Sequence, residues 1–194
     1  MASELPELVL AAAAGWRSWL ADNHADPAGV WLVLAKKGTT EPTSLTYDEA
    51  LLEALRHGWI DGQVGRRDER TYRQRFTPRR ARSPWSQRNV GIVTELIERG
   101  EMHPAGLAEV DRARADGRWG AAYAGPAANE TPEDLLAALA GNPGAQAMFD
   151  RLSSRNRFAV CYRVGQAKRA ETRARRIAGF VEMLARGETI YPQK

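Results

Sequence analysis

One cysteine, Cys161, and three histidines, His24, His57 and His103, are all the thiol and imidazole groups in this sequence. A lone cysteine excludes an internal disulfide framework and leaves no CxxC pair for zinc or redox chemistry, and its neighbours Phe158, Tyr162 and Val164 suit a buried structural thiol. The histidines are dispersed along the chain without HxH or HxxxH spacing, so no bound metal is expected. Absent too are a GxSxG turn, a GxxxxGK[ST] phosphate loop and a GxGxxG following a strand, so no catalytic centre and no cofactor can be named from motifs. No apolar run approaches the roughly 20 residues of a membrane helix, which argues against membrane insertion. The opening MASELPELVL carries acids where a signal peptide would carry positive charge, and the expected location is the cytoplasm.

What the chain does have is arginine. Among 194 residues, 43% are hydrophobic and 27% charged, enough of each for a folded core. The net charge of +4 hides an uneven distribution: residues 1–131 hold 17 bases and 18 acids, whereas 132–194 hold 11 bases and 6 acids. Nine arginines but only two acids, Asp68 and Glu69, fall between Arg66 and Arg88. Trp59, Tyr72, Phe76 and Trp85 are interleaved with or flank that charge, offering flat surfaces on which guanidinium groups or planar ligands can stack.

The pattern predicts an α+β protein, with a small mixed sheet flanked by helices in the N-terminal part and an all-helical C-terminal module. A short strand at 8–10 leads to a helix with Trp16, Trp19 and Leu20 on one face. The VWLVL run at 30–34 reads as a central strand. Thr46 and Glu49 have capping-box spacing and start a second helix. A short strand through WIDGQ and another across 72–77 then form a hairpin, with Tyr72, Gln74 and Phe76 on one face and Arg73, Arg75 and Thr77 on the other. Ser83 followed by Pro84 marks a helix start, and Gly100 its end. A further helix, 102–116, is entered through Pro104. Residues 132–194 read as three or four helices, the last with Ile177, Phe180, Val181 and Leu184 in a stripe. The expected division is an α+β domain over 1–124, a connecting loop at 125–131 and a helical module over 132–194.

Several long motifs are shared with a known family. WRSWL, GVWLVLAKKG, LTYDEALLEALRHGWIDGQ, QRFTPRRARSPWSQRN, LIERGEMHPAGL, DGRWGAAY and AKRAETRARRI together resemble the YdeI/OmpD-associated family, also called bacteriocin-protection proteins, along nearly the whole chain. AKRAETRARRI is similar to the short helical domain that defines the family. The resemblance implies a link to stress or to tolerance of bacteriocins and antibacterial peptides; it carries over no reaction, cofactor or catalytic residue.

The residues themselves point to an anion site. In this reading Arg75, Arg79 and Arg80 neutralise an anionic small molecule or an acidic peptide group. The helix start from Ser83 to Ser86 donates backbone N–H groups, Trp59 and Trp85 form walls, Asn89 lines the pocket and Asp61 orients the ligand. Trp119 and Tyr123 are further candidate walls, and Lys36 and Lys37 a second cationic pair. Two alternatives stay open. One is an enzyme using Asp61 as general base with an arginine clamp; the other is a non-specific nucleic-acid-binding module, since clustered arginines and a pI near 9.5 are the usual electrostatic footprint. Asp61 could also be spent in an ion pair with Arg75 or Arg79.

Overall fold

The computed structural model describes residues 7–125 and 130–193, and it is of the α+β class, with a four-stranded mixed sheet and eight helices among those residues. They fall into two compact units, Met1–Tyr123 and Ala124–Lys194. Of the connecting loop expected over 125–131, residues 126–129 lie outside the described residues.

The sheet of the first unit has the order β1-β2-β4-β3. Strand β1 (Glu7–Leu8) runs parallel to β2 (Val30–Ala35), and β4 (Thr71–Pro78) runs antiparallel to both β2 and β3 (Trp59–Arg66). The VWLVL run is an interior strand because it is paired on both edges. Alternation along β4 works as the sequence implies: Gln74 and Phe76 are buried, and Phe76 joins Val30, Leu32 and Leu34 in the core. Helix α1 (Ala13–Asn23) lays Trp16 and Leu20 on that face, and Trp16, Trp19 and Trp59 interlock, with Trp16 and Trp59 edge to face at 6.1 Å.

Helix α2 (Tyr47–Arg56) starts at the expected capping box. Thr46 accepts from the Glu49 backbone N–H, and the Glu49 carboxylate accepts from the Thr46 N–H at 2.9 Å. Ala50 and Ala54 of α2 join the sheet-side core, while its other apolar side, Leu51 and Leu55, packs with Trp85, Val93 and Val110. Those last three belong to the Pro84–Ser86 segment, to α3 (Gln87–Glu98) and to α4 (Pro104–Ala115). Helix α4 presses closely on the end of α2, since a Cβ on Gly106 would lie 2.2 Å from the Arg56 carbonyl oxygen. Glycine is the residue this approach allows.

The expected start of α3 is corrected. Ser83 and Pro84 do not cap it; the cap is Ser86, whose hydroxyl accepts from the Asn89 N–H. Ser86 stays extended because the backbone on either side of it pairs with Tyr123. The Tyr123 N–H donates to the Trp85 carbonyl at 3.0 Å, and the Gln87 N–H donates to the Tyr123 carbonyl at 2.9 Å. The helix therefore begins three residues late. It closes through Gly100, whose φ of 66° is left-handed.

The second unit comprises α5 (Glu133–Ala140), α6 (Pro143–Asp150), α7 (Ser154–Gly165) and α8 (Ala170–Ala185). Its core joins Leu135, Leu139, Phe149, Val160, Val164, Ile177 and Leu184. Cys161 lies in that core too, where burial pushes its thiol pKa upward.

Candidate functional site

Strand β4 delivers Arg79 to the end of the hairpin, where its N–H donates to the Gly58 carbonyl at 3.0 Å. The side chain turns inward and is 5% exposed. Its guanidinium carbon stands 3.6 Å from the centre of the Trp85 ring, and Nη1 donates to the Pro84 carbonyl at 3.1 Å. The remaining donors, Nε and Nη2, are buried without a protein partner. Among the described residues no carboxylate stands at ion-pair distance from Arg79. Burial first, with added repulsion from Arg118, pulls its pKa down to about 10 against the more distant charges of Glu109, Tyr123 and Asp61.

Other polar atoms around Arg79 are in the same condition. Trp85 is 2% exposed and its Nε1 has no partner. Trp119 packs against Trp85 at 4.9 Å, and its neighbour Arg118 donates from Nη1 to the Ser83 carbonyl while Nη2 is buried and unpartnered. Glu109, on α4, is bound by Arg112 through Oε1, yet its buried Oε2 has nothing. Native interiors leave few such groups, so five of them on four neighbouring side chains require a reason. The N-terminus of α3 adds an aligned dipole beside Trp85, its first turn capped by Ser86 and Asn89 buried there.

Asp61 faces α2 from the other side of this region. It accepts from the Tyr47 hydroxyl at 3.0 Å and forms no ion pair with Arg75 or Arg79. Burial first, then the Asp61 charge, push the Tyr47 phenol far above its usual range, so Tyr47 stays a donor. Burial and then Asp61 also raise Tyr123, opposed by Arg79 and by a hydrogen bond with Ser86. Asp61, Tyr47, Tyr123 and Arg79 thus share one electrostatic field.

Of the nine residues expected to form the site, the structure gathers Arg79, Trp85, Ser86 and Asn89, with Asp61 behind them. The other four are elsewhere. Trp59 is wholly buried in the aromatic core, its Nε1 donating to the His24 carbonyl at 2.7 Å, so it is no pocket wall. Arg75 points off the opposite sheet face and donates to the Ala28 carbonyl. Arg80 is exposed, and the Ser83 hydroxyl accepts from its backbone N–H to fold a turn. Tyr47, Glu109 and Arg118 were missed, since nothing in spacing along the chain links them to Arg79. Lys36 and Lys37 line an open 490 Å3 cleft at the far end of β4, with Glu41 and Glu69 beside them. That mixed charge, and the Lys36 ammonium already donating to the Asp68 carbonyl, make it a poor anion receptor.

Residues 8–109 match the family described as Domain of unknown function (DUF8412), and residues 129–187 match the family described as Bacteriocin-protection, YdeI or OmpD-Associated. The motifs from WRSWL to LIERGEMHPAGL fall within the first match and AKRAETRARRI within the second; DGRWGAAY lies between them. No curated protein and no solved structure matches the chain.

Proposed function

Because the chain belongs to the DUF8412 family and carries a bacteriocin-protection, YdeI or OmpD-associated module, we propose that its α+β unit is the recognition part of a stress or antibacterial-tolerance protein. By this reading it binds an anionic small molecule or an acidic peptide group at the junction of β4 and α3.

The observation that carries the reading is Arg79: a buried guanidinium with two unused donors, stacked on Trp85 and not neutralised by a contacting carboxylate. A buried cation in that state is costly to the fold alone, and an anion receiving Nε and Nη2 side by side would match the fork of the guanidinium. Arg118 Nη2 and Trp85 Nε1 supply further unused donors nearby. The exposed Arg80 and Arg82 follow in the covering turn and raise the local positive potential. Tyr47 holds Asp61 in place, which fits a positioning carboxylate better than a free general base.

All six tryptophans lie within residues 1–123, so fluorescence-detected melting reports on this unit. Phosphate, sulfate, acetate and glutamate, each titrated against chloride at matched ionic strength, should raise the melting temperature for at least one anion. Arg79→Met should abolish the shift, and Arg75→Met, on the opposite sheet face, should retain it. An undiminished shift in Arg79→Met refutes the reading.

A further inference from the structure

All three histidines converge although they are far apart in sequence. The His57 ring lies 4.8 Å from that of His103 and nearly parallel to it, the His24 ring is 4.7 Å from His103, and His24 and His57 are 6.5 Å apart. Each stands at a helix end: His24 follows α1, His57 follows α2 and His103 caps α4. Their hydrogen bonds set the tautomers. Nδ1 of His57 donates to the Glu53 carbonyl at 2.9 Å and Nδ1 of His24 to the Ala21 carbonyl at 3.1 Å, so both carry hydrogen on Nδ1. His103 is the reverse. Its Nδ1 accepts from the Ala105 N–H at 3.2 Å, which places its hydrogen on Nε2. The Nδ1 lone pair of His103 is thus spent on the α4 cap, and the described residues hold no metal-binding group of three or more His, Cys, Asp or Glu.

We infer that this imidazole cluster is an acid-sensitive latch on α4, and through α4 on the arginine site. Protonating His103 puts a proton on the one nitrogen that caps the helix and a positive charge at the positive end of its dipole. It also sets a cation against two other imidazoles. The groups facing the cluster cannot absorb that charge cheaply. From α2, Glu53 is already bound by Arg17 of α1, at 2.6 Å, and by Arg56, at 3.0 Å. Glu101, before α4, is held by Arg56 at 2.9 Å, and Glu109 of α4 by Arg112. Burial lowers the pKa of both His57 and His103, and the neighbouring imidazoles lower them further, for His57 against the opposing hydrogen bond and charge of Glu53. Each therefore stays neutral to a lower pH and then charges against resistance.

The consequence passes along α4. The His103 N–H donates to the Arg56 carbonyl and Gly106 abuts the same oxygen, so the first turn of α4 is what docks it on α2. Val110 and Ala113 of the same helix pack in the cluster that holds Trp85, and Glu109 is the foremost carboxylate acting on Arg79. Uncapping α4 loosens the wall of that site. This last link rests on the anion-site reading, whereas the latch itself does not.

Amide exchange of α4, corrected for intrinsic rates, separates the two. Between pH 7.5 and 5.5 the wild-type protection of residues 106–110 should fall about tenfold, the combined effect of a lost cap and an opposed dipole. His103→Asn keeps a capping acceptor that does not titrate and should flatten that dependence. NMR titration should show coupled transitions of His57 and His103, both below the ordinary value. An unchanged pH dependence in His103→Asn, or independent ordinary titrations of His57 and His103 in the wild type, overturns the latch. If α4 responds as described and phosphate nonetheless gives no thermal shift at either pH in any variant, the latch stands and the link to an anion site falls.

Discussion

Replacing Arg79 by methionine should make the ligand-free protein more stable. Holding a guanidinium down at about 10, below its ordinary range, corresponds to about 3 kcal/mol of unfavourable folding free energy at neutral pH. The sign follows from the folded pKa lying below the unfolded one: the penalty is present in full at every pH below about 10 and is relieved only above it. Methionine fills a similar volume and removes that penalty. What it gives up is the bond to the Pro84 carbonyl, worth about 1 kcal/mol, and the stacking on Trp85, worth about 1 kcal/mol and partly restored by the thioether. The balance is a gain of about 1 kcal/mol, or about 3 °C in the melting temperature of a unit of this size. Tryptophan fluorescence in a chloride-only buffer follows it directly. A loss of about 2 kcal/mol or more would mean that Glu109 neutralises Arg79 at a distance, and the premise of an uncompensated buried cation would be refuted.

Three other perturbations test neighbouring parts of the structure. Alanine is the better helix former by about 1 kcal/mol, yet Gly106→Ala should destabilise the first unit by about 2 kcal/mol, because its Cβ cannot sit 2.2 Å from the Arg56 carbonyl; a urea titration read by fluorescence decides between propensity and packing. Phe149→Ala should cost the helical unit about 3–5 kcal/mol, seen by far-ultraviolet circular dichroism, since Phe149 is 1% exposed and central to that core. Because His57 and His103 are held below the ordinary imidazole value, stability of the first unit should be complete above about pH 7 and decline as pH falls below about 6.5, measured as urea midpoints across that range; a flat profile would contradict the burial argument.

Where local rules decide, the sequence was legible. The capping box at Thr46 and Glu49, the alternation of β4, the stripe of α8 and the left-handed Gly100 each depend on residues within a turn or two of one another. Arg79 and Trp85 could be picked out because the hairpin and the following helix are adjacent in the chain. Trp59 was misplaced for a physical reason: charge around it suggested a wall, but a large indole with one satisfiable N–H fits an aromatic core equally well, and only packing chooses. Glu109 and Arg118 come from 30 or more residues downstream of Arg79, and no periodicity relates them to it. The histidines mislead in the same way, because spacing rules for metal ligands see only neighbours in sequence, whereas these three meet where separate helices end.

The start of α3 is a tertiary decision. Left to its neighbours, the chain has a serviceable capping pair at Ser83 and Pro84; what prevents an earlier turn from winding is a two-bond seam to Tyr123, 37 residues further on than Ser86. A fragment ending short of Tyr123 would lose that seam and could coil back by three residues, swinging Trp85 out from under the Arg79 guanidinium. The stacking of Arg79 on Trp85 therefore answers to a residue at the extreme edge of its own unit, and any fragment made to study it has to include Tyr123.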